Sequence, residues 1–556
     1  MLDEIKNVIK GEVAENNLDS YSRDASIFEV KPQLVIKPRD VDDIRNVVKF
    51  VAEHKSSNPN LSVTARAGGT DMTGGSLSKS IVVDFAEHFN KIIEIDNLEA
   101  KPPLGGLASF GAGYAITEPG VFYRDFERET LKKNFLLPSY PASREICTVG
   151  GMVANNAGGE KSLRYGKTDN YVEELNVVLS DGNEYTFKPL AIEELKQKKE
   201  QGDFEGEIYR KVHELLETNY DILQKAKPDV SKNSAGYALW DVWDKNKFDL
   251  TKLFVGSQGT LGLVTQIRFR LIEPPKHSKL LIIFLKDLKI LGQLVNLINK
   301  HSPESMESYD DNTFKLVFKI LPDLIKKMGF SFIFKFFPDV WNIIVNGMPK
   351  LVIITEFTGE DEESVKIKSQ SAKHEINSKF KIKTRIASSE ADIKKYWIIR
   401  RESFNLLRNH VRGKKTAPFI DDIIVRPEKL PEFLPKLNEI LDEYKKYMVY
   451  TIAGHPGDGN FHIIPLMDLS DEKSRQIIPE VSNKVYDLVL RYNGSITAEH
   501  NDGLIRTPYL EKMYGKEVYK LFEEVKKIFD PQNIFNPGKK VGGDLKYGME
   551  HINTNL

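Results

Sequence analysis

The sequence predicts an α+β protein built from more than one domain. Three observations carry that expectation. From Val30 onward short strands alternate with amphipathic helices, glycine-rich loops follow the early strands, and the texture changes after about residue 275. A chain of 556 residues is also too long for one core, so two or three domains are expected.

The elements follow in order. Residues 1–30 read as a short helix and a polar turn. PQLVIKP and LSVTARAGG read as strands that end in turns. Between them DVDDIRNVVKFVAEH places Val41, Ile44, Val47, Val48 and Val51 on one helical face. Residues 173–189 read as a hairpin around Asp181-Gly182, 192–226 as charged helix, and 253–272 as strand again. Beyond 275, KLLIIFLKDLKILGQLVNLINK is a strand leading into a helix, and LVIITEFTGE with DEESVKIKSQSAKHEI repeats that order. This is the texture of a sheet with helices on one face. A strand hairpin at 449–466 and a helical tail ending in FDPQNIFNPGKK complete the chain.

Composition narrows the function classes. Lys and Arg number 79 against 80 Asp and Glu, a net charge of -1, which leaves no global nucleic-acid footprint. Cys147 is the single cysteine, which excludes internal disulfides, cysteine-ligated iron–sulfur clusters and CxxC chemistry. The N-terminal residues carry early acids and no apolar core of a signal peptide. No stretch of 18 uncharged apolar residues occurs; the nearest approach, 330–345, is interrupted by Lys335, Pro338 and Asp339. A cytoplasmic protein is expected.

Two glycine loops carry the first functional signal. Arg66-Ala-Gly-Gly-Thr-Asp-Met-Thr-Gly-Gly75 follows a strand, where glycines let backbone N–H groups converge on an anion and Thr70 and Thr73 add hydroxyls. A tight structural turn would use glycine equally well. The second loop, Thr148-Val-Gly-Gly-Met-Val-Ala-Asn-Asn-Ala-Gly-Gly159, has four glycines and an Asn pair able to read ring edges and ribose. Arg164-Tyr-Gly166 and Gly256-Ser-Gln-Gly-Thr-Leu-Gly262 follow. Neither GxxxxGK[ST] nor a GxGxxG opening the first βαβ unit is present.

These segments, in this order and spacing, resemble the FAD-binding domain of the vanillyl-alcohol-oxidase/PCMH flavoprotein superfamily, over about residues 30–275. The resemblance implies two α+β subdomains with FAD between them, the pyrophosphate on the first loop and the flavin ring near the second. It places Arg66, Ala67, Gly68, Gly69, Thr70, Asp71, Gly74 and Gly75 at the cofactor, with Thr148, Gly150, Gly151, Asn155, Asn156, Ala157, Gly158 and Gly159. Tyr165, Gly166, Gly262, Val264 and Asn536 join them. Some relatives attach FAD through a first-loop histidine. Thr70 and Asp71 stand here instead, so the FAD is expected to be non-covalent. Gln258 replaces the usual acidic residue of that motif, with little effect expected, because backbone makes the flavin contacts.

The second signal is His455-Pro-Gly-Asp-Gly-Asn-Phe-His462, a glycine turn between two strands. It can bring two imidazoles together, and two imidazoles with a carboxylate suit a divalent metal such as zinc. The carboxylate candidate is Glu499, and His500 beside it is a candidate base. A pair of turn histidines with ordinary partners is the plainer alternative. HPGDGNFH, AEHNDGLIRTPYL and FDPQNIFNPGKK are similar to the C-terminal domain of the D-lactate dehydrogenase, glycolate oxidase subunit and D-2-hydroxyglutarate dehydrogenase group. That resemblance makes His455, His462 and Glu499 metal ligands (zinc first, manganese or iron as alternatives) and His500 the catalytic base. Arg400, in Tyr396-Trp-Ile-Ile-Arg-Arg-Glu402, matches the arginine that binds the substrate carboxylate. Relatives acting on dicarboxylates have a lysine just before the strand that Pro418-Phe-Ile-Asp-Asp422 matches. None stands there unless Lys414 or Lys415 reaches in, which favours a monocarboxylate. The match departs at Asn501, where glycine is usual.

The expected activity is oxidation of a small D-2-hydroxy acid to the 2-keto acid, with hydride passing to FAD. An alkyl-dihydroxyacetone-phosphate-synthase-like enzyme, or a flavoprotein subunit of a larger electron-transfer complex, are the alternatives. The electron acceptor stays open between quinone, cytochrome and electron-transfer flavoprotein, and a homodimer is possible. Residues 312–348 alternate aromatics and lysines with apolar residues. They read as a peripheral membrane contact or as an inserted helical pair packed on the substrate domain. The expected division is a lead-in at 1–29, a PCMH-type FAD-binding domain at 30–275, an α+β substrate (cap) domain at 276–500, and a helical C-terminal segment at 501–556 that returns to the FAD domain.

Overall fold

The structure is a computed structural model. It describes residues 2–98, 112–311, 347–387, 389, 392–393, 396–397 and 414–555. Arg400 and residues 312–346 of the apolar-basic segment lie outside the described residues.

Three sheets organise the molecule. The first orders Glu12–Ala14, Leu34–Lys37, Ile81–Asp84 and Val63–Arg66, with the last three strands parallel. Parallel neighbours need a crossover, and the helix Val41–His54 supplies it. Asp40 caps that helix by accepting from the Asp43 N–H at 3.1 Å. Its buried face, Ile44, Val47, Val48 and Val51, packs on the sheet with Ile36, Val63 and Ile81. Each such side chain contributes about 1.5–3 kcal/mol by leaving water.

The second sheet is antiparallel, in the order Ile92–Asn97, Gly113–Thr117, Leu263–Leu271, Val172–Val178, Glu184–Phe187. Gly182 (φ 75°) makes the expected Asp-Gly turn between Val172–Val178 and Glu184–Phe187. Residues 192–226 form three helices, Ile192–Glu200, Phe204–Thr218 and Tyr220–Ala226. The strand expected from 253 begins only at Leu263. Thr251–Phe254 is a helical turn, and Gly256 (φ 87°), Gln258 (φ 53°) and Gly259 (φ 68°) are left-handed. Three left-handed residues within four positions cannot continue a strand.

The third sheet has eight antiparallel strands, with Thr384–Ala387, His277–Leu285, Leu351–Gly359, Ser305–Asp310, Met448–His455, Asn460–Met467 and Lys415–Thr416 in sequence across it. Ile423–Ile424 also pairs with Asn460–Met467. The helices Leu291–Asn299, Glu362–Phe380, Leu430–Asp442 and Glu472–Arg491 share one apolar cluster with it. The long helix Leu510–Phe529 goes back to the second sheet's core, where Val518, Leu521, Phe522, Val525 and Phe529 pack. Ile534 and Phe535 then enter the core of the first sheet. No helix among the described residues is long and apolar enough to cross a membrane.

Candidate active site

The first glycine loop lies where a strand hands over to a turn. After the strand Val63–Arg66, Gly69 (φ 65°) and Gly74 (φ 81°) let the chain coil back. Asp71 closes this loop: Oδ2 accepts from Thr73 N at 2.9 Å, Thr73 Oγ1 at 2.8 Å and Gly75 N at 2.7 Å. Ala67, Gly68, Gly69 and Thr70 form its partly exposed rim. The Arg66 guanidinium is committed elsewhere, donating to the carbonyls of Ser20, Tyr21 and Arg23.

In the second loop Thr148 caps the helix Val149–Asn155 and accepts from Gly151 N at 3.2 Å. Gly150 packs so closely on Pro119 that a Cβ would come within 2.4 Å, and Gly159 packs likewise on the Tyr140 carbonyl, at 2.3 Å. Asn156 (φ 49°) ends the helix, and its Oδ1 accepts from Asp169 N at 3.0 Å. The Ala157 carbonyl accepts from Thr168 N, also at 3.0 Å. Buried Tyr165 and left-handed Gly166 (φ 73°) close the following turn. Gly262 and Val264 lie at the start of the strand Leu263–Leu271, beside Val177.

A polar network ties the loops together. Asn155 Nδ2 donates to Asp71 Oδ1 at 2.9 Å. Gln258 donates to Thr73 Oγ1 at 3.3 Å and Asn155 Oδ1 at 3.2 Å, and accepts from Gly503 N at 2.9 Å. Asn536 Nδ2 donates to the carbonyls of Gly75 at 2.8 Å and Gln258 at 2.7 Å. The Gln258 side chain therefore has a joining role that the motif match had not suggested.

The histidines come together through strand register. Ala453 pairs with His462 and His455 with Asn460, so the two imidazoles are diagonal neighbours on one face. Their Nε2 atoms stand 3.2 Å apart, and His455 Nε2 lies 3.6 Å from Glu499 Oε2. Ligands of a tetrahedral ion with bonds of about 2.0–2.1 Å stand roughly 3.4 Å apart, so this donor set fits a divalent cation. Asp422 also falls within 4.8 Å of His462, Glu499 and His500. However, its Oδ2 already accepts from Thr497 Oγ1 at 2.8 Å and from the N–H groups of Ala498, Glu499 and His500 at 2.8, 2.7 and 2.7 Å. It anchors the Glu499 loop. That leaves His462, Glu499 and His500 of this close group, and His455 joins them through its contacts with His462 and Glu499.

Four partners were not legible in the sequence, because each comes from a distant segment. Glu307 accepts from His455 Nδ1. Asp421 Oδ1 accepts from His462 Nδ1 at 3.1 Å, and its Oδ2 stands 2.9 Å from His500 Nδ1 in an ion-pair contact. Lys232 bridges Glu499 Oε1 at 2.7 Å and Asp458 Oδ2 at 2.9 Å. Buried Lys167 donates to the Ala498 carbonyl at 2.9 Å. Burial alone would keep His500 neutral, but Asp422 and Asp421 outweigh it and raise the imidazole to about 9. His455 is likewise raised to about 9, with burial opposed chiefly by Glu307. Burial works against the charge on Glu499 too, yet Lys232 and His455 hold its carboxyl well below the usual range.

Two domains in this order, glycine loops on one and a histidine–carboxylate cluster on the other, define a two-domain flavoprotein of the PCMH type. The chain belongs to the FAD-linked oxidases: residues 32–188 match the FAD binding domain, and 274–540 match the FAD linked oxidases, C-terminal domain. It is 29% identical over 523 residues to D-2-hydroxyglutarate dehydrogenase of Pseudomonas putida, covering 93% of this chain and 49% of that protein. The chain thus spans about half the length of that relative, and of the Escherichia coli protein of the same name (27% identical, 95% of this chain, 50% of that one). It covers 96% of D-lactate dehydrogenase of Archaeoglobus fulgidus at 25% identity, with 94% of this chain aligned. Among solved structures it resembles p-cresol methylhydroxylase (TM-score 0.65, 16% identity, 98% of this chain and 96% of that one). It also resembles an alkyldihydroxyacetonephosphate synthase (TM-score 0.64, 14% identity, 94% and 83%). At these identities the structural likeness shows the fold alone.

Proposed function

We propose that the protein is an FAD-dependent dehydrogenase that oxidises a small D-2-hydroxy acid, D-lactate-like, to its 2-keto acid with help from a divalent metal. One observation carries the reading. His455, His462 and Glu499 converge beside His500, and Gly158 of the second glycine loop touches the same Glu499. The relatives' names all denote 2-hydroxy acids.

Each residue then has a chemical task. His455 and His462, through Nε2, and Glu499, through Oε2, would hold the cation, which polarises a hydroxyl oxygen when bound. FAD, when bound, supplies the two-electron acceptor. His500 Nδ1 stands 2.9 Å from Asp421 Oδ2, an ion-pair contact that favours hydrogen on Nδ1 and leaves Nε2 as the acceptor of the hydroxyl proton. A bound cation would disfavour imidazolium at His500 and so oppose the raising effect of Asp422 and Asp421. Arg400 is assigned the substrate carboxylate on the sequence match. Support for a monocarboxylate comes from Lys415, which pairs with Met467, five positions along the strand from His462. That is about 16 Å of strand, beyond the reach of a side chain toward the histidines.

The test is anaerobic mixing of the FAD-loaded protein with D- and L-2-hydroxy acids, following loss of flavin absorbance. D-lactate should bleach the flavin faster than L-lactate or D-2-hydroxyglutarate. Faster bleaching by D-2-hydroxyglutarate would overturn the monocarboxylate reading, and no bleaching by any acid would overturn the activity.

A further inference from the structure

We infer that Asp421 is a positioning residue that sets a metal ligand and the catalytic base with one carboxylate. The inference rests on the roles proposed above for His462 and His500. Asp421 is almost wholly buried, and its two oxygens are divided: Oδ1 faces His462 Nδ1 at 3.1 Å and Oδ2 faces His500 Nδ1 at 2.9 Å. The two rings lie nearly parallel, with centroids 5.0 Å apart and 21° between planes. An ionised carboxylate only accepts, so hydrogen on Nδ1 is the form that suits both imidazoles: His462 in a hydrogen bond and His500 in an ion-pair contact. Both Nε2 atoms then point away from Asp421, that of His462 toward His455, and that of His500 is the atom the proposed base role requires.

The backbone that carries this carboxylate is itself held from two sides. Arg506, fully buried, donates from Nη2 to the Asp421 carbonyl and from Nη1 to the Asn501 carbonyl at 3.1 Å. Ile423, two residues on, pairs with Phe461 and brings Asp421 beside His462. Neighbouring Asp422 gathers the N–H groups of residues 498–500, which places His500. One short segment therefore fixes both imidazoles, so the metal ligand and the base cannot be oriented independently.

Asparagine at 421 is nearly isosteric but offers one acceptor and one donor. It can satisfy only one Nδ1–H, so the other imidazole must change tautomer or rotate. The test uses FAD-loaded protein freed of metal and titrated with Co2+, alongside flavin reduction by D-lactate at saturating Co2+. Asp421→Asn should bind Co2+ about 10- to 100-fold more weakly, as loss of a ligand's supporting partner does. It should also lower kcat at saturating Co2+ by at least about 100-fold, the scale of general-base catalysis, while FAD content stays the same. Asp421→Glu, which keeps two acceptors, should recover part of both. Wild-type Co2+ affinity in folded, FAD-loaded Asp421→Asn overturns the assignment. So does weakened Co2+ binding with wild-type kcat. If D-lactate fails to reduce the wild-type flavin, the proposed activity falls while the Co2+ titration still decides Asp421. Wild-type protein that takes up no Co2+ overturns both.

Discussion

Gly158 of the second glycine loop stands against Glu499: a Cβ on it would sit 3.0 Å from Glu499 Oε1, 2.8 Å from Ser162 Oγ and 3.1 Å from Lys167 Cγ. The loop matched to the flavin and the carboxylate matched to the metal are therefore in contact, although they lie more than three hundred residues apart.

Gly158→Ala should show that contact. Three neighbours would have to move, a form of overpacking that costs about 1–3 kcal/mol. We expect a lower melting temperature, and weaker cation binding to a protein that still folds. Calorimetry and a Co2+ titration measure the two; unchanged values in both would show that the loops move apart at no cost.

His500→Ala removes the proposed base and leaves Asp421 its bond to His462. Turnover should fall about 10²- to 10⁴-fold, the scale of general-base catalysis, with FAD still bound. Stopped-flow flavin reduction and the ratio of flavin to protein absorbance check this. Retained turnover would remove His500 from the mechanism.

Metal removal should inactivate without unfolding. A chelator would leave His455, His462 and Glu499 with their partners Glu307, Asp421 and Lys232. Activity should return when a divalent cation is added back. Full activity in a rigorously metal-free, FAD-replete sample would refute the metal role.

Asn536→Ala should loosen the flavin loops. It strips the donor from the buried carbonyls of Gly75 and Gln258, and each orphaned group costs about 1–3 kcal/mol. Lower stability to urea and faster FAD loss are expected, read by denaturation and by filtration of free flavin.

Glu356 should give stability a pH dependence near neutrality. Burial, with help from Glu304, raises its carboxyl from 4.5 to about 7 in the folded protein. The folded state thus holds a proton that the unfolded chain releases earlier. That stabilisation is complete below pH 4.5 and is lost as pH rises toward about 7. Glu356→Gln should gain melting temperature relative to wild type at pH 8 compared with pH 5. A constant difference across that range would refute it.

How far could the sequence alone be read? Local signals were legible where period and turn chemistry agree. The helix Val41–His54, the Asp181-Gly182 turn and the hairpin of Met448–His455 with Asn460–Met467 follow from apolar spacing and glycine. The 253–262 stretch was misread because its apolar residues resemble a strand, whereas left-handed Gln258 and its glycine neighbours form a turn.

The residues of the site divide along the same line. HPGDGNFH and Glu499-His500 announce themselves because ligand and base chemistry needs those residue types within short motifs. Their partners have no such mark. Glu307, Asp421 and Lys232 look like any acid or lysine in their segments, and only strand pairing and domain docking bring them to the imidazoles and to Glu499. The sequence by itself determined the two-domain flavoprotein class and singled out the candidate ligands, since those depend on residue type and local spacing. Only the tertiary structure decided that Gly158 meets Glu499 and that one carboxylate faces two histidines, since contacts between distant segments depend on register and packing.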